Sequence, residues 1–176
     1  MYKNQVKIKE YEATLTQPLR QATNAFLLRD NQILLALKKR GFGVGKWNGV
    51  GGKLNPGEDI RSAAIREAEE EICVNLHKPK KVAIINFYFP LVPKEKNWDL
   101  QVTVFICKEW QGEPQETEEM APQWFNCDQI PYHQMWWDDE IWLSKVLSGS
   151  FIVASFMFGE DEKVIDHYLE EVENLD

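Results

Sequence analysis

Apolar and polar positions along the chain follow two rhythms, and the change from one to the other marks out the elements. Residues 22–29 (ATNAFLLR) and 32–40 (QILLALKKR) are apolar runs of strand length, with DNQ at 30–32 as the turn between them. Residues 81–89 (KVAIINFYF), 100–110 (LQVTVFICKEW), 123–126 (QWFN) and 150–159 (SFIVASFMFG) predict further strands. A helical period takes over at 59–73 (DIRSAAIREAEEEIC), the strongest helix signal in the chain. It returns at 138–149 (DDEIWLSKVLSG), with Asp138 or Asp139 near the N-cap and Gly149 near the end. Residues 162–172 (EKVIDHYLEEV) read equally as helix or strand. The glycine-rich stretch 41–57, the segment 90–99 (PLVPKEKNWD) and the acidic segment 113–122 (EPQETEEMAP) read as loops. In the first twenty residues only 6–15 (VKIKEYEATL) suggests an element, a single strand. There is no internal repeat. Strands outnumber helices and mix hairpins with helical crossovers. The expected fold is therefore α/β, a mixed β-sheet sandwiched between helices. Residues 21–176 are expected to form one domain, with 1–20 an extension packed on it.

Composition narrows the function. A chain of 176 residues has room for one sizeable core, and 44% hydrophobic with 12% aromatic content is globular. A formal net charge of −8 excludes general binding to nucleic-acid backbone or anionic membrane, both of which select basic surface. An anion held locally by backbone N–H groups or a metal remains open. No apolar run reaches membrane-spanning length, and MYKNQVKIKEYEATL lacks the apolar core of a secretory signal. Cys73, Cys107 and Cys127 are odd in number and far apart, which fits reduced thiols in a cytoplasmic protein.

The helix at 59–73 carries the candidate chemistry. At about 100° per residue, Ile60, Ala64, Ile65, Ala68 and Ile72 share one side. Glu67 and Glu71 fall on the edge of that side, one turn apart, with Glu70 adjacent. Like charges four apart cost about 0.2–0.5 kcal/mol per pair in water, and more in a dry site. Arg66 relieves Glu70 at i+4, but one arginine does not balance Glu67, Glu69, Glu70 and Glu71. A divalent cation would, and an all-oxygen ligand set suits Mg²⁺. Taken alone the cluster also fits a solvated acidic face. The loop just upstream, WNGVGGKLNPGE at 47–58, changes the balance, because its glycines permit close backbone approach to phosphate or metal.

Gly52, five residues, Glu58, seven residues and then REAEEEICV at 66–74 resembles the Nudix box of hydrolases that cleave nucleoside diphosphates linked to another moiety. Two positions depart from it. Ala68 replaces a larger aliphatic, and Cys73 stands where the box has glycine, which puts the left-handed helix end in doubt. The segments KKRGFGVGKWNGVGGK (38–53), QGEPQETEEMAPQWF (111–125), QIPYHQMWWDDEIW (129–142) and FMFGEDEKVIDHYLEEV (156–172) are similar to the MutT-type oxidised-purine nucleoside triphosphatase branch, which acts on 8-oxo-dGTP and 2-hydroxy-dATP. The likeness runs from about Thr23 to the C-terminus, with a few extra residues in PLVPKEKNW.

This resemblance implies a Nudix fold, and it implies site residues. Glu67, Glu70 and Glu71 match metal ligands, as do the carbonyl of Gly51 and the carboxylate of Glu119; Arg66 and Glu58 match residues bracing the loop and helix. The catalytic set is then Glu67, Glu70, Glu71 and Arg66. The base pocket takes in Thr23, Phe42, Asn48, Trp136, Asp138 and Asp139, with Lys38 at its edge. These types suit the task. Trp136 offers a flat face for stacking, Asn48 a donor and an acceptor, and neighbouring aspartates raise each other's pKa so that one donates while the other accepts. Core packing for Trp136 and helix capping for the aspartates are the plainer uses. The implied reaction is Mg²⁺-dependent (or Mn²⁺-dependent) hydrolysis of oxidised purine nucleoside triphosphates to monophosphate and pyrophosphate, which sanitises the nucleotide pool. The implied partner is a small nucleotide, with no nucleic-acid polymer and no membrane, and the state monomeric. Two alternatives stay open: a Nudix enzyme for another substrate such as a dinucleoside polyphosphate, and a nucleotide-binding module without catalysis.

Overall fold

A computed structural model of the protein describes residues 7–175. The runs at 22–29 and 32–40 become β1 (Arg20–Arg29) and β2 (Gln32–Lys38). They pair antiparallel only beside their turn, from Leu27↔Leu34 to Arg29↔Gln32. Beyond it the glycine-rich segment enters between them. Its short strand β3 (Trp47–Asn48) pairs with Ala36 and Leu37 of β2, then Val50 and Lys53 bridge across to Ala25 and Ala22 of β1. A stretch expected to be wholly loop is thus partly sheet. The wedge holds the strands apart where the candidate residues converge.

The remaining strands are β4 (Asn75–His77), β5 (Lys80–Tyr88), β6 (Leu100–Cys107), β7 (Glu109–Gln111), β8 (Met120–Asn126), β9 (Phe151–Phe158) and β10 (Val164–Val172). The main sheet has eight strands in the order β10-β9-β5-β6-β1-β2-β3, with β8 also paired to β2. β1 and β6 run parallel, as do β5 and β9; the other pairs are antiparallel. The expected mixed sheet is present. The run 100–110 is two strands: it breaks at Lys108, and β7 leaves to pair with β4 in a separate ribbon. There the Cys107 thiol donates to the Glu109 carbonyl at 2.9 Å. The ambiguous 162–172 segment resolves as strand, because its backbone pairs with β9 along nearly its whole length.

Alternation along the strands builds two cores. Phe26, Ile33, Leu35, Ile85, Val104 and Phe156 face one side, where α3 (Asp139–Leu147) adds Trp142, Leu143 and Val146. Ala25, Leu27, Leu34, Ala36 and Phe105 face the other, where α2 (Ile60–Ile72) adds Ala64, Ala68 and Ile72. The expected strand at 6–15 is instead a short helix in its described part, α1 (Ile8–Glu12). Ile8 and Tyr11, three apart, face inward onto Tyr88 and Met157, and Glu10 accepts from the Lys7 backbone N–H at 3.4 Å.

Candidate active site

The helix α2 starts and stops as its residues dictate. Asp59 accepts from the N–H groups of Arg61 and Ser62 at 3.0 and 3.1 Å, a side-chain N-cap. At the other end Cys73 adopts φ 60, ψ 33 without being glycine. Its N–H reaches the Glu69 carbonyl at 3.1 Å and that of Val74 the Ala68 carbonyl at 3.4 Å, so the left-handed end survives the substitution. Ile60 and Ile65 are half-buried beside the buried alanines, as the helical spacing predicts.

The acidic side chains are distributed by named cations. Arg66 donates to both oxygens of Glu58 at 2.8 and 2.9 Å, to Glu67 at 2.8 Å, to Glu70 at 3.0 Å and to the Lys53 carbonyl at 3.1 Å. One arginine therefore serves three of the carboxylates, more than its i+4 spacing to Glu70 suggests, and ties loop to helix. Glu71 is buried and goes elsewhere. Lys38 Nζ lies 3.1 Å from one of its oxygens, and the Gly51 N–H donates to the other at 2.9 Å. Burial pushes the Glu71 carboxyl up, against the pull of Lys38. Glu119 is paired with Arg40, which holds its carboxyl below the usual range. The loop lies hard against these groups: a methyl at Gly51 would collide with the Thr23 carbonyl, and one at Gly52 would sit 2.5 Å from the Glu67 carboxylate.

Among the described residues, no three acidic, histidine or cysteine side chains are drawn together as a cation site. The chemistry of the donors nevertheless suits a divalent metal. Glu67, Glu70, Glu71 and Glu119 are all hard oxygen ligands, and the ammonium and guanidinium groups of Lys38, Arg66 and Arg40 occupy them in this arrangement.

Beside them opens a cavity of about 520 Å³. Thr23, Lys38, Phe42, Asn48, Gly51, Glu119, Trp136, Asp138 and Asp139 all line it, though they come from five separate stretches of chain. Glu67, Glu70, Glu71 and Arg66 stand outside its wall. Phe42 stacks on Trp136 at 5.0 Å and 25°. Asn48 has its side-chain oxygen saturated by the N–H of Gly49 and by Asn24 Nδ2, both at 2.8 Å, so its amide nitrogen is the free end.

The aspartates are not a simple cap. Asp138 occupies the N-cap position of α3 but makes no side-chain cap bond. It accepts from the Trp142 indole at 2.9 Å, while Asp139 accepts from the Trp136 backbone N–H at 3.0 Å. Both are buried. Burial pushes Asp138 up to about 6 and raises Asp139 well above the usual range, the neighbouring Asp138 charge adding to the second shift.

Asn24 and Lys46 are among the lining residues that the sequence reading missed. Asn24 is polar in the middle of an apolar strand run, a signal that it faces something other than core. Lys46 lies 4.8 Å over the Trp136 ring, pairs with Glu162 at 3.2 Å and pulls Asp139 downward; flanked by loop residues, it offers no such signal.

A profile of the NUDIX domain matches residues 18–146. The chain is 40% identical over 153 residues to an oxidized purine nucleoside triphosphate hydrolase of Danio rerio, covering 87% of this chain and 96% of that one. It is 37% identical to the protein of the same name from Mus musculus, with the same coverage. In fold it is similar to a MutT protein from Bacillus halodurans, with TM-score 0.73, 24% identity, 86% of this chain covered and 98% of that one. With the profile spanning most of its length and these relatives matched nearly end to end, the chain belongs to the NUDIX domain family.

Proposed function

We propose that the protein hydrolyses oxidised purine nucleoside triphosphates, 8-oxo-dGTP and 2-hydroxy-dATP among them, to the monophosphate and pyrophosphate, and so cleans the nucleotide pool. The observation that carries this reading is the single cavity in which Asn48, Trp136, Asp138 and Asp139 meet beside the acidic helix face. The names of the Danio rerio and Mus musculus relatives support it.

In this reading the cavity binds the base. Trp136 supplies a stacking face, which is worth about 1–3 kcal/mol per base. Asn48 donates from Nδ2, since its oxygen is already taken. The aspartate pair shares protons and so presents a donor and an acceptor side by side. Thr23 closes one wall and Phe42 the mouth. Lys38, freed from Glu71, turns its ammonium toward phosphate. Glu67, Glu70, Glu71 and Glu119, with the Gly51 carbonyl, would hold Mg²⁺, which when bound neutralises phosphate charge and acidifies water. Arg66 keeps loop and helix in register through Glu58. Glu71, the buried carboxylate of the set, takes the proton of the water that attacks at the α–β bridge.

We take residues 21–176 as the catalytic unit, acting as a monomer in the cytoplasm; the three free cysteines agree with a reducing compartment. No helix among the described residues is long and apolar enough to cross a membrane. A substrate panel with pyrophosphate detection, run with and without Mg²⁺, tests the reading. Preference for 8-oxo-dGTP and 2-hydroxy-dATP over dGTP is expected. Equal or greater activity on a dinucleoside polyphosphate, or none on any nucleotide, would overturn it.

A further inference from the structure

The segment before the NUDIX match is joined to the cavity by a short chain of contacts. Tyr11 of α1 donates its hydroxyl to Asp99 at 2.8 Å. The other Asp99 oxygen accepts the Phe89 backbone N–H at 2.8 Å. One carboxylate thus clamps both roots of the 90–99 loop and fastens them to α1. Among the described residues the Tyr11–Asp99 bond is the one hydrogen bond between 7–19 and this loop; alongside it lies a cleft of about 220 Å³ rather than packed contact.

What the loop carries is Trp98. No strand holds it, and it follows Asn97, whose backbone is left-handed. Its ring meets Phe42 edge-on at 4.8 Å and Phe89 at 5.8 Å. Phe42 in turn stacks on Trp136, and Phe89 stacks on Phe158 at 5.1 Å and 9°. Phe42, Phe89, Trp136 and Phe158 line the cavity; Trp98 stands behind Phe42. Phe42 is on a glycine-rich loop and is half exposed, so its position depends on what backs it.

We propose that Tyr11 is a positioning residue for nucleotide binding: through Asp99 it holds the 90–99 loop so that Trp98 backs Phe42 at the mouth of the cavity. The extension then braces the binding wall from behind and is not a separate appendage. The inference rests on the cavity being the base site, as proposed above.

The test is a set of full-length variants assayed with 8-oxo-dGTP. Tyr11→Phe removes one hydroxyl and keeps the ring packed on Tyr88. It should raise KM by about three- to tenfold, the loss of part of a charge-assisted hydrogen bond, with kcat within about twofold. Trp98→Ala should raise KM at least as far. The double variant should be no worse than Trp98→Ala alone, because both changes break one linkage. A purely structural tyrosine would lower Tm and leave KM alone. An unchanged KM in Tyr11→Phe, or fully additive effects in the double variant, would overturn the proposal. Trp136→Ala separates the two levels. If it raises KM while Tyr11→Phe and Trp98→Ala do not, the linkage is wrong and the base site stands. If Trp136→Ala also leaves KM unchanged, the base site is wrong and the linkage falls with it.

Discussion

Asn24 and Asn48 are locked side chain to side chain, with Asn24 Nδ2 donating to Asn48 Oδ1 at 2.8 Å. The orientation is unambiguous, because the Gly49 N–H donates to the same Asn48 atom, which must therefore be oxygen. Asn24 Oδ1 has no hydrogen-bond partner within the protein. The pair presents one donor to the cavity. Asn48→Asp replaces that donor by an acceptor and should raise KM for purine triphosphates by tenfold or more, about 1.4 kcal/mol. Asn24→Ala removes one of the two donors that hold the Asn48 carbonyl oxygen, leaving the Gly49 N–H, and should lower discrimination between substrates while raising KM less. Steady-state kcat/KM on the oxidised and unmodified nucleotides checks both.

Glu71 is held by Lys38 and by the Gly51 N–H, in a site where burial opposes its charge. Glu71→Gln keeps the shape and one acceptor. It should lower kcat by about 10²–10⁴-fold while the fold survives, since a base and a metal ligand are lost together. Lys38→Met removes the cation but not the carboxylate, and should reduce thermal stability more than Glu71→Gln does. A melting curve beside a turnover measurement separates the two. Near-normal turnover in Glu71→Gln would remove this carboxylate from the chemistry.

The aspartate pair predicts a pH dependence of stability. Folded values raised above the ordinary Asp value of 3.8 mean that folding favours the protonated forms. That stabilisation is complete below the unfolded value and is lost as pH rises through the folded ones. The Tm contribution of the pair should therefore fall from about pH 4 upward through about 6, as the two carboxyls give up their protons. Asp139→Asn should flatten this slope, and each single Asn variant should change the ranking of 8-oxo-dGTP, 2-hydroxy-dATP and dGTP. Calorimetry across this range, and kcat/KM for the three substrates, are the measurements. An unchanged ranking in both variants would leave the pair a structural role.

Cys73 holds a left-handed backbone that costs an L-residue about 1–2 kcal/mol. Cys73→Gly should raise the free energy of unfolding by about 1 kcal/mol, and Cys73→Val should lower it by a similar amount. Urea denaturation of the three proteins gives the comparison, with activity expected to stay close to the parent in each.

Local signals made α2 legible: the Asp59 cap, the apolar stripe and the spacing of its glutamates are all set within a few turns. The burial of Glu71 was readable from that stripe, but its partner was not. Lys38 is 33 residues away, and only the pairing of β2 brings it close. The glycine stretch hid a strand because β3 is two residues long and is made by the opening between β1 and β2, not by its own propensity. The same holds for α1. Its five residues are too short for a periodic signal and form a helix because Ile8 and Tyr11 find Tyr88 and Met157. Asp138 looked like a helix cap, and only the buried Trp142 indole shows where its carboxylate goes.

The centre of the sheet has a consequence for how the molecule comes to exist. β1 meets β6 in parallel from Arg20↔Leu100 to Leu27↔Cys107, and β5 waits for β9, from Ala83↔Ile152 to Tyr88↔Met157. Neither pairing is reached by a hairpin, so large loops must close before either returns energy, and folding should be slow for a chain of this length. The helix with its glutamates leaves the ribosome early, while Asp138 and Phe158 come late. A nascent chain ending before β9 would carry the acidic face with an unpaired β5 edge and an unfinished cavity, a species with nothing to bind and a strand edge open to aggregation.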